Sequence, residues 1–133
     1  MNDVLKDKNG DILDPKIPRY EKLKCKTIFE NSSGTISTIT LSQELQDSDK
    51  IRIYFNNGSL HDSIVVSEPI NKRVSLSLMT TDGNLYVQIA EVQITATTII
   101  FSKNIEWWHS TSSDGGYNAN RNMVKITKVE LIS

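Results

Sequence analysis

Ile51-Arg52-Ile53-Tyr54-Phe55-Asn56 alternates apolar and polar side chains residue by residue. Successive Cβ atoms of a strand point to opposite faces. Ile51, Ile53 and Phe55 therefore share one face, and Arg52, Tyr54 and Asn56 the other. The same period returns downstream. Val74, Leu76 and Leu78 alternate with Ser75, Ser77 and Met79, and Leu85, Val87 and Ile89 alternate with Tyr86, Gln88 and Ala90. Reading outward on these grounds predicts strands over 23–29, 35–41, 50–55, 63–67, 73–79, 85–94, 98–108 and 123–132.

The segments between them carry turn chemistry. Asn31-Ser32-Ser33-Gly34, Asn56-Asn57-Gly58-Ser59, Glu68-Pro69 and Thr81-Asp82-Gly83-Asn84 supply positive φ and side chains that bond back to the backbone. Residues 46–49 and 110–120 read as turns too. Asn57-Gly58 and Asp82-Gly83 each suit a tight hairpin. A single helical turn is expected in 41–49, around Ser42, Glu44 and Leu45. Short strands at regular spacing predict an all-β fold, an antiparallel two-sheet β-sandwich of about eight strands.

Residues 1–20 differ in character. They are polar and hold Pro15 and Pro18, which forbid a long helix. Asn9-Gly10 marks a turn between Val4-Leu5 and Ile12-Leu13. This segment reads as an N-terminal arm or small hairpin, with the β-sandwich domain at 21–133. Asp7, Asn9 and Asp11 have the alternate spacing of a calcium loop. Ile12 replaces the glycine such a loop needs, and Pro18 replaces its closing glutamate, so a plain turn is expected.

With 133 residues the chain fits one domain with a core of its own. Fifteen Lys and Arg face 16 Asp and Glu, a net charge of −1 that gives no footprint for nucleic acid or an anionic membrane. No apolar run reaches the roughly 18 residues that span a bilayer. The first residues lack the apolar core of a signal peptide, so synthesis and retention in a cytoplasm, or release by lysis or within a larger particle, is expected. The lone cysteine, Cys25, excludes an internal disulfide and reads as a small core residue beside Leu23 and Thr27.

Chemistry is sparsely signalled. His61 and His109 are the only imidazoles and lie far apart in sequence, without metal-ligand spacing. No serine sits in a nucleophile elbow. Glu91, Glu106, Asp82 and Asp114 are carboxylates from which no pair stands out for hydrolysis. The expectation is therefore a non-enzyme, with no cofactor and no metal. Binding is better signalled. Trp107 and Trp108 are adjacent, so one faces in and the other out, beside a polar segment over 110–121. Gly115-Gly116-Tyr117 is expected to make that segment a mobile loop. Aromatic faces pack on sugar C–H groups while Asn, Asp and Arg meet the hydroxyls. Trp107, Trp108, Asp114, Tyr117, Asn120 and Arg121 are the candidate ligand-binding residues; the alternative is a core Trp and a subunit-contact Trp.

Asp7-Lys8-Asn9-Gly10-Asp11-Ile12-Leu13-Asp14-Pro15-Lys16-Ile17-Pro18 resembles the lead-in segments of tail proteins from phages and prophages of Gram-positive bacteria. Phe29, the Ser32-Ser33-Gly34 turn, the run from Thr35 to Ser42, the run from Asp49 to Phe55 and the close from Val124 to Ile132 resemble small β-rich modules of tail and baseplate proteins. Ile28-Phe29 stands where those modules often carry a Trp. The resemblance implies a virion tail protein acting by binding, either as a structural part or as a receptor-binding part. Its implied partners are other tail proteins and host cell-wall polysaccharide, its implied assembly a homotrimer. No binding residues carry over from it. A bacterial carbohydrate-binding or adhesion module without catalytic activity is the alternative.

Overall fold

A computed structural model describes residues 24–81, 83–110 and 115–133. They form nine strands: β1 (Cys25–Thr35), β2 (Ile39–Thr40), β3 (Lys50–Asn56), β4 (His61–Ser67), β5 (Arg73–Thr81), β6 (Asn84–Ile94), β7 (Thr98–Ser110), β8 (Gly116–Asn118) and β9 (Lys125–Ile132). One sheet has four strands in the order β1-β9-β3-β4. The other has five, in the order β2-β7-β6-β5, with β8 added beside β7. All named strand pairs are antiparallel, and the two sheets form the expected sandwich. Residues 1–23, with the arm and the calcium-like loop, lie outside the described residues.

The core is built from one face of each sheet. Ile51, Ile53 and Phe55 of β3 meet Leu76 and Leu78 of β5 and Ala90, Val92 and Ile94 of β6 in one apolar cluster. Ile28, Ile126 and Val129 complete it on the four-stranded side. Burial of such side chains contributes about 1.5–3 kcal/mol each and is the main drive for closing the sheets.

On β6 both faces carry apolar residues, so alternation alone leaves its orientation open. Leu76 and Leu78 settle it: they pair with Ala90 and Gln88. Gln88 therefore faces inward, while Leu85, Val87 and Ile89 belong to the outer face.

β7 changes parity part-way. Glu91 pairs with Lys103 and Val92 with Phe101, leaving Ser102 as an extra residue. A bulge of this kind lets two residues oppose one and re-aims the side chains beyond it. Before it, Ile99 and Phe101 turn to the core; after it, Asn104 and Glu106 do, and Trp108 continues their row at the exposed end of the strand. The Ser102 hydroxyl holds the bulge, donating 3.1 Å to the Glu91 carbonyl and 2.9 Å to its carboxylate.

Four local expectations are corrected. The run 35–41 is not one strand: β1 extends to Thr35 and only Ile39–Thr40 pair with β7. No helical turn forms in 41–49. The Leu41 and Leu45 N–H groups instead donate to the Thr97 and Ala96 carbonyls, and that of Ser42 to the Ile28 carbonyl, so this segment is stitched across both sheets. Cys25 is exposed, because it opens the edge strand β1 and burial begins only at Ile28. Within 110–120 the residues Gly116–Asn118 form β8 rather than a loop, held by their ladder to β7.

Candidate functional site

Glu106, Trp107 and Trp108 lie beyond the bulge on β7: Glu106 is buried, Trp107 stands on the outer row, and Trp108 shares the row of Glu106 but is itself exposed. On the outside, cross-strand register lines up Met79, Val87, Trp107 and Tyr117 across four strands. The Trp107 and Tyr117 rings lie 4.5 Å apart, tilted by 42°. Trp107 is 52% exposed and Tyr117 51%. β8 is what brings Tyr117 there. The pair forms an open aromatic platform on the outer face of the five-stranded sheet.

Tyr117 also borders a cleft of about 370 Å³ lined by Lys103, Asn120 and Asn122. Asn120 bridges to Asn104, and its own N–H donates 2.9 Å to the Asn118 side chain. Two of the predicted residues, Tyr117 and Asn120, therefore share a surface with Trp107.

Trp108 and Arg121 sit elsewhere. Trp108 pairs with Tyr86 and Gly116 on the inner-face row. Arg121 reaches the open end of the sandwich, where its Nε donates 3.3 Å to Glu106 Oε1. Asp114 and Asp82 lie outside the described residues.

At that end is a cleft of about 470 Å³. Asn57 continues the inward face of Ile51, Ile53 and Phe55 past the end of β3. Its Oδ1 accepts the N–H groups of Ser59 and Leu60, closing the β3–β4 turn in which Gly58 takes φ of +95°. That bond fixes the amide so that Nδ2 points inward and donates 2.6 Å to Gln88 Oε1. Gln88 Nε2 then donates 2.7 Å to Glu106 Oε2. Asn57, Gln88 and Glu106 are all buried. A chain of hydrogen bonds thus runs from a turn of one sheet, through β6, to the Glu106–Arg121 ion pair on the other. Beside it Asn104 accepts from the Val124 N–H and donates to the Val124 carbonyl, pinning the start of β9.

Sequence reasoning passed over Asn57, Gln88 and Asn104. A signal for Asn57 existed, since it extends the β3 alternation by one step. Glu91 lies on the opposite face of the sheet from Glu106, bonded to Ser102 and 3.9 Å from Arg73. Glu106 is the one carboxylate among the described residues lining the cleft.

A third polar group decorates the outer face of the four-stranded sheet. The Tyr54 hydroxyl donates to Glu130, and Lys128 Nζ lies 3.4 Å from Glu130 and 5.5 Å from the Tyr54 ring centre. The Tyr54 hydrogen bond, with Lys128 beside it, holds the Glu130 carboxyl below the usual carboxylate range, against the opposing effect of burial. The same bond pushes the Tyr54 phenol up. His61 opens β4 in this sheet and His109 lies on β7 of the other. Among the described residues no group of three or more His, Cys, Asp and Glu is placed to hold a metal ion. No helix among them is long and apolar enough to cross a membrane.

The fold and its clefts define an all-β sandwich with one aromatic outer face and one polar end. In comparisons with known proteins, no family, no curated protein and no solved structure matches the chain.

Proposed function

We propose that this protein is a non-catalytic recognition module of a phage or prophage tail that engages a host surface glycan through Trp107 and Tyr117. The observation that carries the glycan reading is the half-exposed ring pair, held at 4.5 Å by the pairing of β7 with β8. Aromatic rings fixed on strands meet the C–H face of a sugar with little ordering cost. Asn120, Asn122 and Lys103 in the adjoining cleft supply donors and acceptors for hydroxyls. The tail assignment rests on the sequence resemblance at 7–18, at Phe29, at 32–42 and 49–55, and at 124–132.

The test is saturable binding of the labelled protein to intact Gram-positive cells and to their purified wall polysaccharide, with the mass in solution measured in parallel. Binding competed by free polysaccharide and lost in Trp107→Ala supports the reading. A well-folded protein that binds neither cells nor polysaccharide refutes the glycan role. The mass distinguishes a single copy from the implied trimer.

A further inference from the structure

The geometry points to a second ligand site, at the polar end of the sandwich, for an uncharged hydroxyl-rich ligand of the size of a sugar ring. It is separate from the aromatic face, because Glu106 and Trp107 project to opposite sides of β7.

The hydrogen-bond chain leaves valence unspent. Gln88 Nε2 and Asn57 Nδ2 each use one proton on a neighbour and retain another. Each Glu106 oxygen accepts one bond from this chain and has a further lone pair. Arg121 engages Glu106 through Nε, which leaves the rest of its fork. The Tyr86 hydroxyl accepts from Asn84 at 3.2 Å and keeps its own proton to give. Residues with unspent donors and acceptors thus line one cleft, the two kinds of partner that hydroxyls require.

Charge selects further. Glu106 and Arg121 are the only charged side chains among the described residues lining the cleft, and they neutralise each other. An anion would compete with Glu106 for Arg121, and a cation with Arg121 for Glu106. A neutral polyol breaks neither bond. The volume, about 470 Å³, falls within the range of small-ligand clefts.

Stability alone does not call for this arrangement. An ion pair whose carboxylate is buried and whose guanidinium is half exposed gains little over well-packed apolar side chains of the same volume. The apolar cluster of the interior is built of Ile, Leu and Val with Phe55 and Ala90. Polar side chains already fixed by neighbours are what lowers the ordering cost of binding.

The experiment tracks the side-chain amide signals of Asn57 and Gln88 and the Arg121 Nε–H signal of the full chain by NMR. The probes are glucose, galactose and N-acetylglucosamine, with glucuronate and glucosamine as charged counterparts. The expected result is a saturable shift of these signals by at least one neutral sugar, with the charged sugars weaker by about tenfold or more. Arg121→Ala is expected to weaken binding by about tenfold in a chain that stays folded, with a lowered unfolding midpoint because buried Glu106 loses its partner. Arg121→Lys provides a second, milder variant. Trp107→Ala leaves the titration unchanged. No shift with any neutral sugar, equal binding of glucuronate or glucosamine, or loss of the shifts in Trp107→Ala overturns the inference.

Discussion

The indole of Trp108 fills the space that a side chain at position 116 would need. A Cβ added to Gly116 would lie 2.4 Å from both Cε2 and Cζ2 of the ring. Glycine here is a packing requirement of the β7–β8 pair, because Trp108 and Gly116 face each other in register.

Gly116→Ala is therefore expected to displace the ring or part β8 from β7. Overpacking of this kind costs about 1–3 kcal/mol. Chemical denaturation measures it, and the same protein should lose part of its glycan binding as Tyr117 shifts from Trp107. An unchanged denaturation midpoint would show that β8 does not depend on this contact.

Trp107→Ala has a different expected profile. The side chain is half exposed, so the loss is confined to its ring contact with Tyr117, about 0.5–1.5 kcal/mol. The fold stays intact while polysaccharide binding disappears. Trp108→Ala should do the reverse, lowering stability more than Trp107→Ala does while leaving the outer platform in place.

Gln88→Ala removes the middle of the buried chain. It strands Asn57 Nδ2 and Glu106 Oε2, both of which bond to Gln88. Leaving buried polar groups without partners costs about 1–3 kcal/mol. A double-mutant cycle with Glu106→Gln should show non-additivity, since the two side chains are in direct contact.

Acid should erase the contribution of the Tyr54–Glu130 pair. Glu130 has a folded pKa below its unfolded one, so its stabilisation is present above the unfolded value and is lost as pH falls through the folded value. Tyr54 is raised, so its share is present below the unfolded phenol value and is lost as pH rises through the folded one. The stability gap between wild type and Tyr54→Phe is thus expected to be widest at neutral pH and to close at both extremes. Urea denaturation across pH reads it, and a gap that widens in acid contradicts the assignment.

Ser102→Ala keeps the bulge and loses only the hydroxyl bonds to Glu91, a cost of about 0.5–1.5 kcal/mol. Deleting Ser102 removes the surplus residue itself and straightens β7, and is expected to cost more than Ser102→Ala, within the about 0.5–3 kcal/mol of most single changes. Regular pairing would then follow Phe101 directly with Lys103, and Asn104 and Glu106 would still face inward. Thermal unfolding of the two variants separates these cases.

The alternation in 50–55 and 73–79 was enough to place β3 and β5, because polar residues leave only one face fit for the core. The Asn57-Gly58 turn was legible for the same local reason. β6 was not, since Leu85, Val87 and Ile89 compete with Ala90, Val92 and Ile94 and only its neighbours decide. The site was half legible. Period two puts the two indoles on opposite rows, but neither is a core residue, since Trp107 and Trp108 are both exposed; which row each takes depends on the bulge at Ser102, a pairing irregularity that no local propensity marks. Gln88 escaped notice because its role depends on Asn57, 31 positions away. β8 escaped because Gly116 reads as a loop residue until Trp108 is seen to occupy its missing side chain.

In β7, which side chains meet the solvent is settled by counting. One surplus residue against β6 shifts the parity of everything downstream, and the side chains themselves have no vote. The two surfaces of this strand are therefore exchangeable with its composition untouched: regular pairing of the same residues past Phe101 would put Ile105 and Trp107 on the core side and Glu106 in the solvent.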